Sequence, residues 1–467
     1  MKKFKSLLSM MLMGTMIVVL SACGDDDDGG MNVNDDSIVE IAQGNADLSI
    51  LVDLLERNPD LVQLLSNDGD FTVFAPTNAA FASLLGVVGQ TSADDIPDAV
   101  VRRILLNHVL SGARVASGDI TNGLTATTAL SANDILTFGV AGGGVTVNGA
   151  NVTTADVDAS NGIIHIVDAV LVPELELSIV NTVVEPAYFN KNFSILTEAV
   201  VTAGLLETLI DPEAELTVFA PDNDAFAAAN ITSLEGLTAD DLTPILTYHV
   251  LGSEVKAADL PSTAGGFATT VSSLGGDFYL TNNANGVFIN GNSQVVATDI
   301  DQDNGVVHVI NRTLVPASAD IVGVAVAAGF SDLAAALTEA GLVDAVASPN
   351  GPFTVFAPTN DAFQALYTAL GVDGPEDIDP LLGDGTLSAV LTYHVLQGRV
   401  FSSDLSDGLM PSTLQGGDFT INVGATVTLT DKDPDVADPT VTSTDVLSTN
   451  GVIHVIDGIL LPIDTAL

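Results

Sequence analysis

The sequence predicts an α+β fold that is repeated in three tandem modules. Three observations lead to this prediction: one apolar strand motif occurs three times, a second strand motif also occurs three times, and helical spacing of apolar residues precedes the second motif in each copy. A chain of 467 residues is too long for one ordinary core, and its length agrees with about three domains. Helical patterns fill mostly the first half of each unit and strand patterns the second half, which is typical of an α+β fold.

The first motif predicts a buried strand. It begins with Asn-Gly, continues with β-branched apolar residues around a central histidine, and runs on to a Leu-Val-Pro or Leu-Leu-Pro stop. Its copies span residues 161–168, 304–311 and 450–457. An apolar β-branched run between such turn and stop residues indicates a strand in the interior of a sheet.

The second motif, Thr-Val-Phe-Ala-Pro, predicts a strand that leads directly into a helix. Its copies begin at Thr72, Thr217 and Thr354, and spacings of 145 and 137 residues indicate domains rather than short solenoid repeats. The next residue is Thr or Asp in every copy, a type that caps helix N-termini. The helices would carry Phe81, Phe226 and Phe363 into the core.

A third shared element lies between the two strands. It is Leu-Thr-Tyr-His-Val-Leu in the second and third copies, whereas the first copy has Asn107 in place of the tyrosine. Alternating Gly- and Thr-rich segments follow it, such as residues 145–149, and they predict hairpin strands.

These three motifs, in the same order in three copies, resemble the fasciclin family. The resemblance covers roughly residues 36–467. It implies that each module is a β-wedge or sandwich of about seven strands with helices packed at one edge. Because only a few residues separate successive units, we expect neighbouring modules to abut as a semi-rigid rod.

The N-terminus predicts export and lipid anchoring. A basic start with Lys2, Lys3 and Lys5 precedes an apolar run from Leu7 to Leu20, as in a signal peptide. The run ends in Leu-Ser-Ala-Cys-Gly, which resembles a bacterial lipobox, and Cys23 is the single cysteine of the chain. Lipidation at Cys23 is therefore expected, the alternative being a cleaved secretory peptide with an incidental cysteine.

Four aspartates, Asp25 to Asp28, predict an acidic tether after the anchor. An acidic run at this place resembles the surface-export signal of Bacteroidetes lipoproteins, which implies an outer-membrane lipoprotein that is exposed at the cell surface; a plain spacer is the alternative. The predicted organisation is a signal peptide at 1–23, a tether at 24–35, and modules at 36–174, 175–317 and 318–467.

The composition argues against nucleic acid as a partner and against catalysis. Sixty acidic residues face 12 basic ones, so a formal charge of −48 repels phosphate backbones. The sequence contains no Gly-x-Ser-x-Gly elbow, P-loop or His-Glu-x-x-His motif, and no cofactor is predicted. We therefore expect a protein that is not an enzyme.

All six histidines belong to the repeat, in pairs that are 57 to 60 residues apart. Two ligands per module are too few for a zinc site, so neutral histidines that hydrogen-bond the backbone are the favoured interpretation. This structural role is predicted for His108, His165, His308 and His454.

Two acidic loops raise the alternative of weak Ca²⁺ binding. Asp299, Asp301 and Asp303 alternate as in a calcium loop, but Asn304 and Ile310 replace the required Gly and Glu, so the EF-hand interpretation fails. The second acidic loop contains Asp431, Asp433 and Asp435. A solvated loop without metal is the default at both places.

The family resemblance also implies candidate partner-binding residues. In animal members, integrin contact is attributed to the Tyr-His element and to an Asp-Ile pair before the Asn-Gly strand. The matching residues are Tyr248, His249, Tyr393, His394, Asp299 and Ile300, with Asp156 and Asp445 at the Asp position of the other modules. The alternative is that these are core and turn residues.

The sequence thus predicts a lipid-anchored surface protein that mediates adhesion or contact with extracellular matrix or biofilm. Its expected partners are the membrane, through Cys23, and a protein or polysaccharide ligand. A glycan- or small-ligand-binding lipoprotein is the alternative, which an apolar pocket in one module only would favour, and a structural spacer is the third interpretation.

Overall fold

The structure is a computed structural model that describes residues 36–263, 268–434 and 436–462. The signal peptide, Cys23, the acidic tether and Asp435 lie outside the described residues. Three α+β modules follow one another along the chain, as the repeats predict.

Module 1 contains helices that surround its first strand and a sheet built mostly from its second half. Its elements are α1 (Ile38–Gln43), α2 (Ser49–Glu56), α3 (Pro59–Ser66), β1 (Phe71–Pro76), α4 (Asn78–Val87), α5 (Asp98–Asn107), β2 (Val109–Ser111), β3 (Thr125–Thr127), β4 (Ile135–Ala141), β5 (Gly144–Val147), β6 (Ala150–Ala159) and β7 (Gly162–Val167). The seven strands form one sheet in the order β2-β1-β7-β6-β5-β4-β3.

Module 2 repeats this plan and adds a helix in the connection from module 1. Its elements are α6 (Glu174–Ile179), α7 (Glu185–Tyr188), α8 (Ser194–Thr202), α9 (Leu206–Leu209), β8 (Leu216–Pro221), α10 (Asn223–Ala228), α11 (Ala239–Tyr248), β9 (Val250–Leu251), β10 (Thr269–Ser273), β11 (Gly276–Asn283), β12 (Gly286–Ile289), β13 (Ser293–Gln302) and β14 (Gly305–Ile310). Its seven-stranded sheet has the order β10-β11-β12-β13-β14-β8-β9.

Module 3 divides its strands between a four-stranded and a two-stranded sheet. Its elements are α12 (Ile321–Ala327), α13 (Ser331–Glu339), α14 (Val343–Val346), β15 (Phe353–Pro358), α15 (Asn360–Leu370), α16 (Ile378–Leu382), α17 (Thr386–Tyr393), β16 (Val395–Gln397), β17 (Thr420–Val423), β18 (Val427–Thr430), β19 (Val441–Ser448) and β20 (Gly451–Ile456). The sheets have the orders β16-β15-β20-β19 and β17-β18, and single bridges such as Thr428 to Thr440 connect them.

The two motif strands of each module are neighbours in the sheet. β1 pairs with β7 in parallel, with Phe74 opposite His165, and β8 with β14 and β15 with β20 keep the same register. Both strands are buried along almost their whole length, which explains why they are apolar without alternation. The predicted caps are confirmed, because Thr77, Asp222 and Thr359 accept a backbone N–H three residues into the next helix.

The Asn-Gly pair closes the corner where these parallel strands begin. Asn161 accepts the backbone N–H of Ile38 at 3.0 Å and donates its amide to the carbonyl oxygens of Leu65 and Asn67. Asn304 and Asn450 make the corresponding contacts in modules 2 and 3. One side chain therefore ties the first helix and the loop before the first strand to the start of the second strand.

Each module buries apolar side chains on both sides of its sheet. On the side of the sheet away from the helices, every module has its own core, which includes Phe138 in module 1, Phe278 in module 2 and Phe419 in module 3. On the helical side, modules 1 and 2 share one continuous core, whereas module 3 has a separate one. The modules are thus distinct in topology but not fully separate in packing.

Replacing Gly162 with alanine should destabilise module 1, because a Cβ there would lie 2.4 Å from the carbonyl oxygen of Phe71 and 2.7 Å from Cδ1 of Ile38. We expect Gly162→Ala to lower the free energy of unfolding by about 1 to 3 kcal/mol, measured by urea denaturation.

Gly86 is the matched control, because it lies in α4 and a methyl group at its Cα would meet no other atom within 4 Å. Gly86→Ala should leave stability unchanged or raise it by up to about 1 kcal/mol. Equal effects of the two substitutions would contradict the close approach of the parallel strands.

Candidate functional site

Each strand that carries the Asn-Gly motif buries its histidine completely. Nε2 of His165 lies 2.9 Å from the carbonyl oxygen of Val115, and Nδ1 lies 3.3 Å from the backbone nitrogen of Asp156. His308 and His454 repeat both contacts. Because a backbone N–H can only donate, Nδ1 accepts, and Nε2 carries the proton that it donates to the carbonyl.

The residue that donates to this histidine is an aspartate in a β-bulge. Asp156, Asp299 and Asp445 have φ angles of 56°, 56° and 60°, and the strand register shifts next to each of them. Aspartate tolerates this left-handed conformation better than most residues. We call the bulge aspartate with its buried histidine the Asp-His lock: Asp156 with His165, Asp299 with His308, and Asp445 with His454.

The carboxylate of each lock holds a short 3₁₀ turn. Asp156 accepts the backbone N–H of Ser117 at 2.7 Å and also its hydroxyl, and the serine hydroxyl bond lowers the pKa of this carboxyl group. Asp299 and Asp445 accept the equivalent backbone N–H groups of Ala257 and Ser402 at 2.8 and 2.7 Å. The lock thus joins two strands and a loop in all three modules.

The Tyr-His element lies in the interior. Tyr248 and Tyr393 are 2% and 0% exposed, and their hydroxyls donate to backbone carbonyl oxygens of Asp277 and Asp418. Burial raises the pKa of both tyrosines to about 12. In module 1 the replacing Asn107 is also buried and donates to the carbonyl oxygen of Leu171.

The histidines of the same element are equally enclosed. His108 lies with Nδ1 2.7 Å from the carbonyl oxygen of Ile104, and Nε2 accepts the backbone N–H of Leu171 at 2.8 Å. His249 and His394 make the same pair of contacts. Burial lowers the pKa of all three to about 4, so they are neutral at physiological pH.

These placements correct the expected partner contact at Tyr248, His249, Tyr393 and His394. Their side chains are at most 3% exposed and their polar atoms bond to the backbone, so they present no surface to a partner. Among the other candidates, Asp156 and Asp299 are exposed and Ile300 is half-buried. Asp445 is buried next to Gly291 of module 2. The candidate contact surface is thus reduced to the bulges of modules 1 and 2.

The acidic loops use their carboxylates within the protein. Asp301 forms an ion pair with Lys256 at 3.0 Å, and Asp299 caps the 3₁₀ turn. Asp431 accepts the backbone N–H groups of Asp433 and Leu461, and burial raises its pKa. Within the described ranges, no group of three or more His, Cys, Asp or Glu residues is arranged to hold a metal ion.

Modules 1 and 2 meet through a buried acidic residue. The side chain of Glu176 on α6 is fully buried. Its carboxylate accepts a hydrogen bond from Nε of Arg103 at 2.5 Å and another from the hydroxyl of Tyr188 at 3.1 Å. Arg103 belongs to module 1, whereas Tyr188 belongs to the first helical segment of module 2. One carboxylate on the connecting helix therefore bonds to both modules.

Modules 2 and 3 meet through an aromatic and polar contact. The Arg399 guanidinium lies 4.1 Å from the centre of the Tyr279 ring, and Phe401 packs against the same ring. The Thr281 hydroxyl donates to Asp404 at 2.8 Å. Burial lowers the pKa of Arg399 and raises that of Asp404.

Neither junction was identified from the sequence, because each contact occurs in one copy only. The backbone N–H of Tyr279 donates to the side-chain oxygen of Asn290, and in module 1 the backbone N–H of Thr137 donates in the same way to Asn148. Thr137 is therefore the counterpart of Tyr279, and module 1 has no aromatic ring at this position. Residues that differ between the copies are not part of the repeated motifs, so the motifs do not reveal these contacts.

Small apolar cavities lie between helices and sheet in modules 1 and 2, and among α15, α16 and α17 in module 3. Their volumes are about 20, 70 and 110 Å³ in modules 1, 2 and 3. All are smaller than the roughly 150 Å³ cavity that accommodates benzene. Since they occur in every module, they do not favour the glycan-binding alternative.

Larger clefts lie at the two junctions, with volumes of about 370 Å³ between modules 1 and 2 and about 310 Å³ between modules 2 and 3.

In the part of the chain that the structure describes, no helix is long and apolar enough to cross a bilayer.

Comparison with known proteins agrees with the observed architecture. The family model described as Fasciclin domain matches residues 46–173, 191–316 and 328–462. Human periostin is 28% identical over 414 residues, covering 87% of this chain and 45% of periostin. Protein sll1483 of Synechocystis is 45% identical over 144 residues, covering 30% of this chain and 74% of that protein.

Among solved structures, a FAS1 domain pair from the insect cell adhesion molecule Fasciclin I aligns with 58% of this chain and 97% of its own. The TM-score is 0.29 at 20% sequence identity.

Stability should fall as the pH drops from neutral towards 4. The folded-state pKa of His108, His249 and His394 lies near 4, below the ordinary 6.5, so folding favours their neutral form. This contribution is complete above pH 6.5 and is lost as the pH falls through 4. Between pH 7 and pH 5 we expect a loss of about 2 kcal/mol per histidine, measured by urea denaturation.

Burial raises the pKa of the carboxyl groups of Glu185, Asp404 and Asp431, and these groups act in the opposite direction because folding favours their protonated form. An unfolding free energy that stays constant or increases between pH 7 and pH 5 would contradict the neutral, backbone-bonded histidines.

Proposed function

The chain belongs to the fasciclin domain family, and from this premise we propose that it is a non-enzymatic, lipid-anchored cell-surface protein that mediates adhesion. Fasciclin-domain homologues are adhesion and cell-surface proteins. The chain spans about half the length of the first curated relatives that it matches, so their own partners are not transferred. We propose extracellular matrix or biofilm polymers as the contacted material.

The observation that supports this function is the fixed arrangement of three similar modules. The helical cores of modules 1 and 2 are continuous, and Glu176 bonds to both. Modules 2 and 3 are joined by Arg399, Tyr279 and Phe401. Repeated loops are therefore presented at fixed separations rather than on flexible linkers.

A fixed array is useful for weak contacts. Once one module is bound, the next binds at an effective concentration set by its tether, and a geometry that matches the ligand spacing gives avidity without any new contact. An extended polymer with repeating groups suits such an array. The exposed bulges at Asp156 and Asp299 are the proposed contact positions.

The anchor in this proposal is a lipid on Cys23, which lies outside the described residues. The acidic tether would separate the modules from the outer membrane, with the protein on the external face. A polar junction cleft supports a second candidate function, the binding of a glycan or another small ligand by an envelope lipoprotein.

Replacing Cys23 with serine should release the protein from the membrane fraction, because it removes the proposed acylation site. Fractionation of cells, together with metabolic labelling by palmitate, measures this outcome. Protease treatment of intact cells should digest the wild-type protein while a periplasmic marker survives. Survival of the protein in unpermeabilised cells would contradict the surface location.

Replacing Glu176 with alanine should loosen the junction between modules 1 and 2. The substitution leaves the partly exposed Arg103 and the Tyr188 hydroxyl without their acceptor and costs about 1 to 3 kcal/mol. We expect faster limited proteolysis near α6 and weaker adhesion of cells to matrix-coated or biofilm-coated surfaces.

Glu174→Ala is the matched control, since Glu174 is exposed on the same helix. A Glu176→Ala protein whose junction is loosened but whose adhesion equals that of wild type would remove the avidity argument. Equal adhesion by cells with and without the gene would contradict the adhesive function itself.

A further inference from the structure

The cleft between modules 2 and 3 has the size of a small-ligand site. Its volume of about 310 Å³ lies at the lower end of the range found for ligand pockets. Five segments line the cleft: the residue that follows α10, the turn between β12 and β13, the connection that follows β14, and, from module 3, α12 and β19. Both modules must therefore be in place for the cleft to exist.

Arg312 borders this cleft without a partner for its charge. Of 12 basic residues, Lys2, Lys3 and Lys5 precede the described residues, which leaves nine. Seven of these form ion pairs, and Arg399 bonds to backbone carbonyls and covers Tyr279. Within the described ranges, Arg312 alone makes neither an ion pair nor a side-chain hydrogen bond, although the chain has 60 acidic residues.

Thr313 borders the same cleft with an unsatisfied hydroxyl. The residue is 4% exposed, and its Oγ1 has no hydrogen-bond partner in the part of the chain that the structure describes. A buried hydroxyl without a partner costs about 1 to 3 kcal/mol. Four other buried side-chain atoms share this condition, but none of their residues borders the cleft.

The other modules show that the fold does not need this polar pair. The leucines that donate to the Tyr-His histidine, Leu171, Leu314 and Leu460, place the three copies in register. The residue before leucine is Val170 in module 1, Thr313 in module 2 and Ile459 in module 3; the residue before that is Ala169, Arg312 and Gly458. Modules 1 and 3 have apolar residues at both positions, so the fold does not explain the guanidinium and the hydroxyl of module 2.

The remaining polar groups of the cleft restrict the chemistry of a ligand. The amide of Asn290 bonds to Tyr279 and Tyr248, and both carboxylate oxygens of Asp445 bond to Ser402. The uncommitted side-chain groups are the N–H donors of Arg312, the hydroxyls of Thr313 and Ser318, and the exposed amide of Asn292.

An arginine guanidinium matches a carboxylate through two parallel hydrogen bonds, and the hydroxyl and amide match neutral hydroxyl groups. The nearby Asp445 carboxylate and the formal charge of −48 disfavour ligands with several negative charges, such as phosphate.

We propose that this cleft binds a sugar acid, such as one uronic acid unit of a polysaccharide, with its carboxylate on Arg312 and a hydroxyl on Thr313. The inference deepens the proposed function, on which it rests for its setting, by naming a ligand class at one junction.

Isothermal titration of the detergent-solubilised full-length protein with sodium glucuronate tests the proposal, with glucose, acetate and inorganic phosphate as comparison probes. We expect saturable glucuronate binding and about tenfold weaker binding of glucose, acetate and phosphate. No saturable glucuronate binding, or binding of glucose, acetate or phosphate as strong as that of glucuronate, would overturn it.

Arg312→Ala should weaken glucuronate binding about tenfold or more. Lys256→Ala is the matched control, because it removes one positive charge from the same module at a site outside the cleft, and it should leave the affinity within about twofold of wild type. Equal affinities of the Arg312→Ala and Lys256→Ala proteins would overturn the assignment.

Thr313→Val introduces the module 1 residue and keeps the shape of the side chain. We expect the affinity for glucuronate to fall about threefold or more, while the Tm of the ligand-free protein stays constant or rises because an unsatisfied hydroxyl is removed. Unchanged affinity together with a lower Tm would show a structural hydroxyl and overturn its role in binding. Adhesion is measured in cells with and without the gene, so failure of glucuronate binding and failure of the adhesive function are separate results.

Discussion

The parallel pairing of the two motif strands is the contact on which the rest of each module depends. A parallel pair requires a long crossover, and everything between the two motifs, from α4 to β6 in module 1, is that crossover. The pairing begins where Gly162 approaches the backbone of Phe71 too closely for a side chain. Beside it, Asn161 binds the first helix and the loop before β1. Two adjacent residues thus set the start and register of the central strands.

Both histidines of each module stabilise the segments around this parallel strand pair. The histidine on the central strand donates to a loop carbonyl and orients the bulge aspartate, which in turn holds a 3₁₀ turn. The histidine of the Tyr-His element joins the helix before β2 to the chain that leaves β7. Repetition of a histidine therefore reflects a repeated need for a side chain that can donate at one nitrogen and accept at the other. Contact with a partner is therefore expected from surface residues around these buried histidines.

The junctions between modules follow different physics from the modules themselves. A buried carboxylate on a connecting helix joins modules 1 and 2, whereas a guanidinium over a tyrosine ring joins modules 2 and 3. Both contacts are specific to one pair, so the order of the modules is encoded in side chains that the repeat does not share. The junctions also create the largest of the described clefts, and the unpaired Arg312 and unsatisfied Thr313 border one of them. Features that distinguish one copy from the others are thus the most informative about binding in this protein.

The sequence by itself determined the three α+β modules, their strands and caps, and the family to which they belong, because these depend on local patterns and on repetition along the chain. It also indicated that a histidine inside an apolar strand is more readily structural than catalytic. Only the tertiary structure decided that Tyr248, His249, Tyr393 and His394 are enclosed, that the two motif strands are parallel neighbours, and that Asp445 is covered while Asp156 and Asp299 are exposed. Burial and partnership depend on which surfaces meet across modules, and residues that are distant in the chain make those contacts, so no local pattern contains them.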